Sequence, residues 1–224
     1  MMEDARAYEG LRVGFTAAVS HELRTPLARL LALLESASLP GADSDALLSE
    51  AREQIEEMSE LIDDVLFLSE LESGRQVVAL GGTPALPVLE AVRERLADSA
   101  ERAGVTIVID ADPNVELPLR RRMLQVVVEN LAANSIRYAG YGTTLTLRVR
   151  PRVLEVADDG RGVEEQELER LFERFYRSDR ARASRGSGLG LAIVKHVVVS
   201  AGGHVEASGG PGRGLHIVCS FPAP

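Results

Sequence analysis

Between Tyr8 and Ser38 apolar residues return at helical spacing. Val19, Leu23, Leu27, Leu30 and Leu34 follow one another at steps of four, four, three and four, which predicts one long amphipathic helix. At about 100° per residue these five fall within about 80° of arc. His21 then lies about 160° from the centre of that stripe and Thr25 about 40° from His21, both on the solvent side, with Glu22 the histidine's neighbour. Pro26 lies inside this helix, removes a backbone hydrogen bond and is expected to kink it just past the histidine. Leu39-Pro40-Gly41-Ala42-Asp43 reads as a turn, with Asp43 or Ser44 as the next N-cap. A second helix follows to about Glu72, where Ala51, Ile55, Met58, Ile62 and Val65 keep heptad spacing. Two helices joined by a short turn form a hairpin with a thin core. A second copy is expected to complete a dimeric four-helix bundle.

After Ser73-Gly74-Arg75 the pattern changes. Gln76–Leu80, Val105–Asp110, Thr143–Arg150, Arg152–Val156, His204–Ala207 and Leu215–Phe221 alternate or are rich in β-branched residues and read as strands. Ala85–Ala103, Leu119–Tyr138, Glu164–Tyr176 and Leu189–Ala201 read as helices. That order predicts a mostly antiparallel sheet with helices on one face, an α+β sandwich.

Charge divides the chain at the same place. Residues 1–73 hold 16 acids and 5 bases, whereas 74–224 hold 18 acids and 20 bases. Two modules are therefore expected, over 1–73 and 74–224. The net charge of −9 argues against a nucleic-acid coat, and 45% hydrophobic with 26% charged residues excludes a disordered chain. The single cysteine, Cys219, excludes an internal disulfide and fits a reducing compartment. With the scattered His21, His196, His204 and His216 it assembles no metal cluster. No apolar run nears the ~20 residues that span a bilayer, and MMEDARAYEG is no signal peptide. The 224 residues are expected to be soluble and cytoplasmic, with any membrane attachment made through segments outside them.

Four short motifs carry chemistry in the second module. Asn130-Leu131-Ala132-Ala133-Asn134 puts two amides on one helix face, and an amide oxygen is a neutral ligand suited to Mg²⁺. Asp158-Asp159-Gly160-Arg161-Gly162 follows a strand; a carboxylate there accepts a hydrogen bond from an exocyclic amine such as adenine's, and the glycines let backbone approach a ring. Leu171-Phe172-Glu173-Arg174-Phe175-Tyr176-Arg177 gathers three of the nine aromatic residues. An arginine-dense stretch with Arg180, Arg182 and Arg185 follows, expected to be a mobile lid suited to polyphosphate. Gly186-Ser187-Gly188-Leu189-Gly190-Leu191 opens a helix, whose N-terminus and bared backbone N–H groups cradle anions. Each pattern alone fits an ordinary turn or helix. It is neither a Rossmann fingerprint nor a P-loop, since no strand precedes the glycines and no Lys-Ser/Thr ends them.

Order and spacing carry more than the motifs singly. Ser20-His21-Glu22-Leu23-Arg24-Thr25-Pro26-Leu27 resembles the phospho-acceptor box of sensor histidine kinases. The four later motifs resemble the N, G1, F and G2 boxes of that family's Bergerat-type catalytic domain, so the resemblance covers about residues 10–222. It implies ATP-dependent phosphorylation of His21, with Glu22 as general base, followed by transfer to an aspartate of a response-regulator receiver domain. It also implies regulator dephosphorylation, with Thr25 positioning water. By the same resemblance Asn134 holds Mg²⁺ on the triphosphate with Asn130 beside it, and Asp158 recognises adenine with Gly160 and Gly162 shaping the wall. Arg137, Tyr138, Gly186, Gly188, Leu189 and Gly190 complete the ATP site, and a hinge near residues 73–76 brings the γ-phosphate to His21. Departures from the family pattern are mild. Ser135 stands where alanine is usual, Arg137 for lysine, Asp159 for asparagine and Arg161 for proline, while Pro118 and Leu119 replace a common capping aspartate. The second carboxylate, Asp159, is expected to weaken adenine binding slightly. The rival readings are a nucleotide-controlled regulator phosphatase and an ATP-binding dimer scaffold without turnover. The histidine lies about twenty residues from the first, so the chain is expected to be the cytoplasmic part of a longer, membrane-bound receptor.

Overall fold

The computed structural model describes residues 2–40, 43–73, 78, 81–178 and 186–223. They form two compact units, residues 2–67 with 186–187, and residues 68–178 with 188–223. Among the described residues no helix is long and apolar enough to cross a membrane.

The first unit is a helical hairpin of α1 (Met2–Ala37) and α2 (Ser44–Glu72), the end of α2 from Leu68 grouping with the second unit. Asp43 caps α2: its Oδ1 accepts the Ala46 N–H at 3.1 Å. Pro26 lies within the continuous α1. The predicted apolar stripes are present but only partly covered. Val19, Leu23 and Leu30 are half-buried, whereas Leu27 is 50% exposed, Leu34 58% and Ile55 54%. Two helices of a hairpin bury one seam and leave the rest of each apolar arc open.

The second unit holds a five-stranded sheet in the order β2-β4-β5-β7-β6, built from β2 (Val105–Ala111), β4 (Thr143–Arg150), β5 (Val153–Asp158), β6 (His204–Gly209) and β7 (Leu215–Ser220). A short antiparallel pair, β1 (Thr83–Pro84) with β3 (Glu116–Leu117), stands apart from it. The sheet is mixed: β2 runs parallel to β4, and the other three pairings are antiparallel. Alternation puts one set of side chains inward. Leu147, Val156 and Ile217 are in register across three strands and fully or nearly buried. Against that face pack α3 (Leu86–Ala103), α4 (Arg121–Tyr138) and α5 (Gly190–Ser200). Cys219 is buried in this core, and burial pushes its thiol up to about 12. It is a packing residue rather than a reactive one.

Two predicted elements differ. The expected helix Glu164–Tyr176 is a 3-10 helix over Glu165–Phe172. A capping box between Glu164 and Glu167 starts it, and extended backbone at Glu173 followed by φ +60 at Phe175 stops it. The helix expected from Leu119 begins at Arg121, with no side-chain cap at Arg120. The expected strand Gln76–Leu80 lies almost wholly outside the described residues.

The polar face of the sheet carries a charge ladder. Asp110 Oδ2 accepts from Arg148 Nε and Arg150 Nη2, both at 2.8 Å, and Arg148 Nη1 reaches Glu155 at 3.3 Å. Hydrogen bonds from Arg150, then Arg148, hold the Asp110 carboxyl at about 2, below its ordinary 3.8. A carboxylate depressed in the folded state stabilises above its unfolded value and loses that contribution as pH falls through the folded one. Thermal midpoints of wild type and Asp110→Asn are thus expected to differ at pH 7 and to converge as pH falls from about 4 to 2. Curves that stay parallel down to pH 2 would refute this.

Candidate functional site

On α1 the periodicity turns His21 outward. His21 and Thr25 are exposed and Glu22 is half-buried. His21, Arg24, Thr25, Ala28, Arg29 and Ala32 form one open strip along α1, positions that share one helical face. The histidine ring therefore stands on an exposed helix face, with two guanidinium-bearing residues, Arg24 and Arg29, on the same face.

In the second unit the C-terminal half of α4 meets the turn after β5. Asp158, the last residue of β5, is half-buried. Its Oδ1 accepts backbone N–H groups of Gly160 at 3.1 Å and Leu215 at 3.3 Å, and its Oδ2 accepts the Ser135 hydroxyl at 2.8 Å. Gly160 is buried against Ala139, whose Cα a Cβ on residue 160 would meet at 2.5 Å. The Arg161 N–H donates to Ala139 O at 2.9 Å, docking the turn on the end of α4. Gly162 has φ +65, and a Cβ there would overlap Gly210 O. Asp159 is exposed and spends its Oδ1 on the Thr144 N–H at 2.6 Å. Backbone pairing thus holds the second carboxylate, which sequence alone set beside the nucleotide.

The glycine-rich turn reaches the same unit from the other side. Phe175 N–H donates to Gly188 O at 3.0 Å, and a Cβ on Gly188 (φ +70) would meet Phe175 Cα at 2.9 Å. Gly190 opens α5, where a Cβ would meet Asn130 Oδ1 at 2.5 Å. Asn130 Nδ2 donates to Val126 O at 2.9 Å, which fixes the amide with its oxygen at the head of α5. Asn134 is half-buried one turn later on α4; Arg137 and Tyr138 occupy the final turn, the first exposed and the second half-buried. Leu189 is fully buried. Gly186 groups instead with the helical hairpin, where its N–H donates to Glu57 Oε1 at 3.2 Å. Arg180, Arg182 and Arg185 lie outside the described residues.

Sequence reasoning missed one structural partner of the site. The turn Gly209–Gly214 locks onto the Asp158–Gly162 turn: Gly212 N–H donates to Arg161 O at 2.7 Å and Gly214 N–H to Gly160 O at 3.0 Å. Four glycines in the six residues from Gly209 to Gly214 were the available signal.

Fold and site define a class: an ATPase-type α/β domain carried behind a phospho-acceptor hairpin. Residues 120–224 match the family described as histidine kinase-, DNA gyrase B- and HSP90-like ATPase, and residues 11–74 the His Kinase A (phospho-acceptor) domain. The sensor-like histidine kinase SenX3 of Mycolicibacterium smegmatis is 31% identical over 96% of this chain and 58% of its own length. The phosphate regulon sensor protein PhoR of Pseudomonas aeruginosa is 34% identical over 95% of this chain and 50% of its own. Among solved structures, the Acinetobacter baumannii histidine kinase AdeS superposes with a TM-score of 0.73 and 25% identity, covering 90% of this chain and 97% of that one. The chain belongs to the sensor histidine kinases of two-component systems. It spans about half the length of the curated relatives it matches.

Proposed function

We propose that the chain transfers the γ-phosphoryl group of ATP to His21 and then passes it to an aspartate of a response-regulator receiver domain. The observation that carries this reading is an exposed histidine on an open helix face, joined in one chain to a site of carboxylate, paired asparagines and glycine turns. Residues 1–73 serve as dimerisation and acceptor module and residues 74–224 as the ATP-binding module. The open apolar arc of the hairpin, with Leu27, Leu34, Ile55 and Ile62 exposed, supports a homodimer closed by a second copy.

In this reading Asp158 accepts the adenine amine and the Gly160–Gly162 turn lines the ring. Gly188, Leu189 and Gly190 border the phosphates at the head of α5, where a helix N-terminus favours an anion, while the N–H of Gly186 is engaged by Glu57 in the other unit; Arg137 and Tyr138 border the sugar-phosphate. Mg²⁺ fits the donors present: Asn130 Oδ1 is held at the head of α5 by the hydrogen bond its Nδ2 donates to Val126 O, and Asn134 follows on the same helix face. Neutral oxygens suit an ion that takes most of its ligands from phosphate and water. When bound, Mg²⁺ neutralises charge developing on the transferred group and ADP. At the acceptor, one His21 nitrogen bonds to the γ-phosphorus as the bond to the β–γ bridging oxygen breaks and ADP leaves. Glu22 takes the proton from the other ring nitrogen.

Incubated with γ-labelled ATP and Mg²⁺, the chain is expected to take up label that survives base and is lost in acid, and to pass it to a receiver domain. Label stable in acid, as on a hydroxyl, would overturn the histidine assignment.

A further inference from the structure

Ser135 is the one described polar residue that is buried, at 4% exposure. Three other helix serines bond locally: Ser20, Ser36 and Ser59 each donate to the carbonyl four residues back, at 2.8 to 2.9 Å. Ser135 instead donates across to Asp158 Oδ2 at 2.8 Å. With Gly160 and Leu215 N–H groups on Oδ1, the carboxylate receives three hydrogen bonds from three different elements. An ionised carboxylate has about four acceptor positions, so about one is left for a ligand. A serine hydroxyl has a single proton, and here it is spent on Asp158. Toward a ligand the pair Ser135–Asp158 therefore presents acceptors only.

We infer that Ser135 is a positioning and specificity-determining residue, fixing Asp158 so that the site accepts an amino-purine and rejects an oxo-purine. The inference rests on the reading of Asp158 as the base-recognising group. Adenine offers N–H donors at its exocyclic position, whereas guanine offers a carbonyl oxygen that would face two acceptors. For Ser135 to turn its proton toward that carbonyl it must give up a hydrogen bond to a charged partner, the stronger of the two. Without the hydroxyl, the vacated space admits water, which donates as readily as it accepts, and discrimination relaxes.

The test uses the full chain, with binding of MgATP and MgGTP measured by titration calorimetry. Ser135→Ala is expected to weaken ATP binding about tenfold, the scale of a lost hydrogen bond to a charged group, and to lower the ATP:GTP preference. In labelling kinetics the loss should fall on KM rather than kcat. Ser135→Cys, nearly the same shape with a weak donor, is expected to behave like the alanine variant; wild-type binding by either folded variant would overturn the inference. In an Asp158→Asn background, Ser135→Ala is expected to add less than about twofold, because its partner is already altered; full additivity would also overturn it. If Asp158→Asn itself leaves ATP affinity unchanged, the base-recognition reading fails. If Asp158→Asn weakens binding but both Ser135 variants do not, only the role of Ser135 fails.

Discussion

His21→Gln is expected to bring incorporation from γ-labelled ATP down to background while changing ATP affinity by less than about twofold, since independent sites that share no partners leave each other's energies nearly untouched. His21 and Asp158 belong to different compact units. The other three histidines lie in the second unit, none of them on an exposed helix face. His204 and His216 sit on β6 and β7 with a ring nitrogen engaged by a carboxylate, Glu206 at 3.1 Å and Glu155 at 3.4 Å. His196 is half-buried within α5. His21 stands exposed on the open face of α1. Labelling, receiver-domain transfer and nucleotide titration on wild type and His21→Gln check the point together. Label that persists at the wild-type level would move the acceptor elsewhere, and a parallel collapse of ATP affinity would show that His21 shapes the nucleotide site.

The outward placement of His21 was readable because it depends on periodicity alone: 100° per residue and five apolar positions determine which side faces solvent. The same holds for the Asp43 cap and for strands such as Thr143–Arg150, whose alternation marks one face. The parallel pairing of β2 with β4 was less legible. It follows from a crossover containing α4, and alternation within a strand does not name its neighbour. The Phe-rich segment misled because its apolar spacing is helical; a capping box and the left-handed Phe175, paired to Gly188, cut it to a short 3-10 helix. The bond from Ser135 to Asp158 spans 23 residues, and sequence offered only an unexpected serine. Motifs name the groups near a ligand; the contacts that aim those groups arise from packing.

Gly214→Ala is expected to destabilise the second unit by about 3 kcal/mol or more, combining left-handed strain with a backbone clash. Gly214 has φ +70, and a Cβ there would overlap Asp158 O. Its N–H holds Gly160 O at 3.0 Å, and the next residue, Leu215, donates to Asp158 Oδ1 at 3.3 Å. Relief by backbone movement would therefore displace the carboxylate and the turn beside it. ATP affinity should fall at least tenfold, or about 1.4 kcal/mol. Gly212 supplies the comparison within the same turn. Its φ is +71, yet nothing lies within 4 Å of a Cβ built there. Gly212→Ala thus carries the conformational cost alone, about 1–2 kcal/mol, with ATP affinity nearly kept. Urea unfolding and ATP titration of the two variants separate the effects. Equal losses would mean that turn strain alone governs the site, whereas a larger loss at Gly214 would show that the second turn positions Asp158 through the backbone.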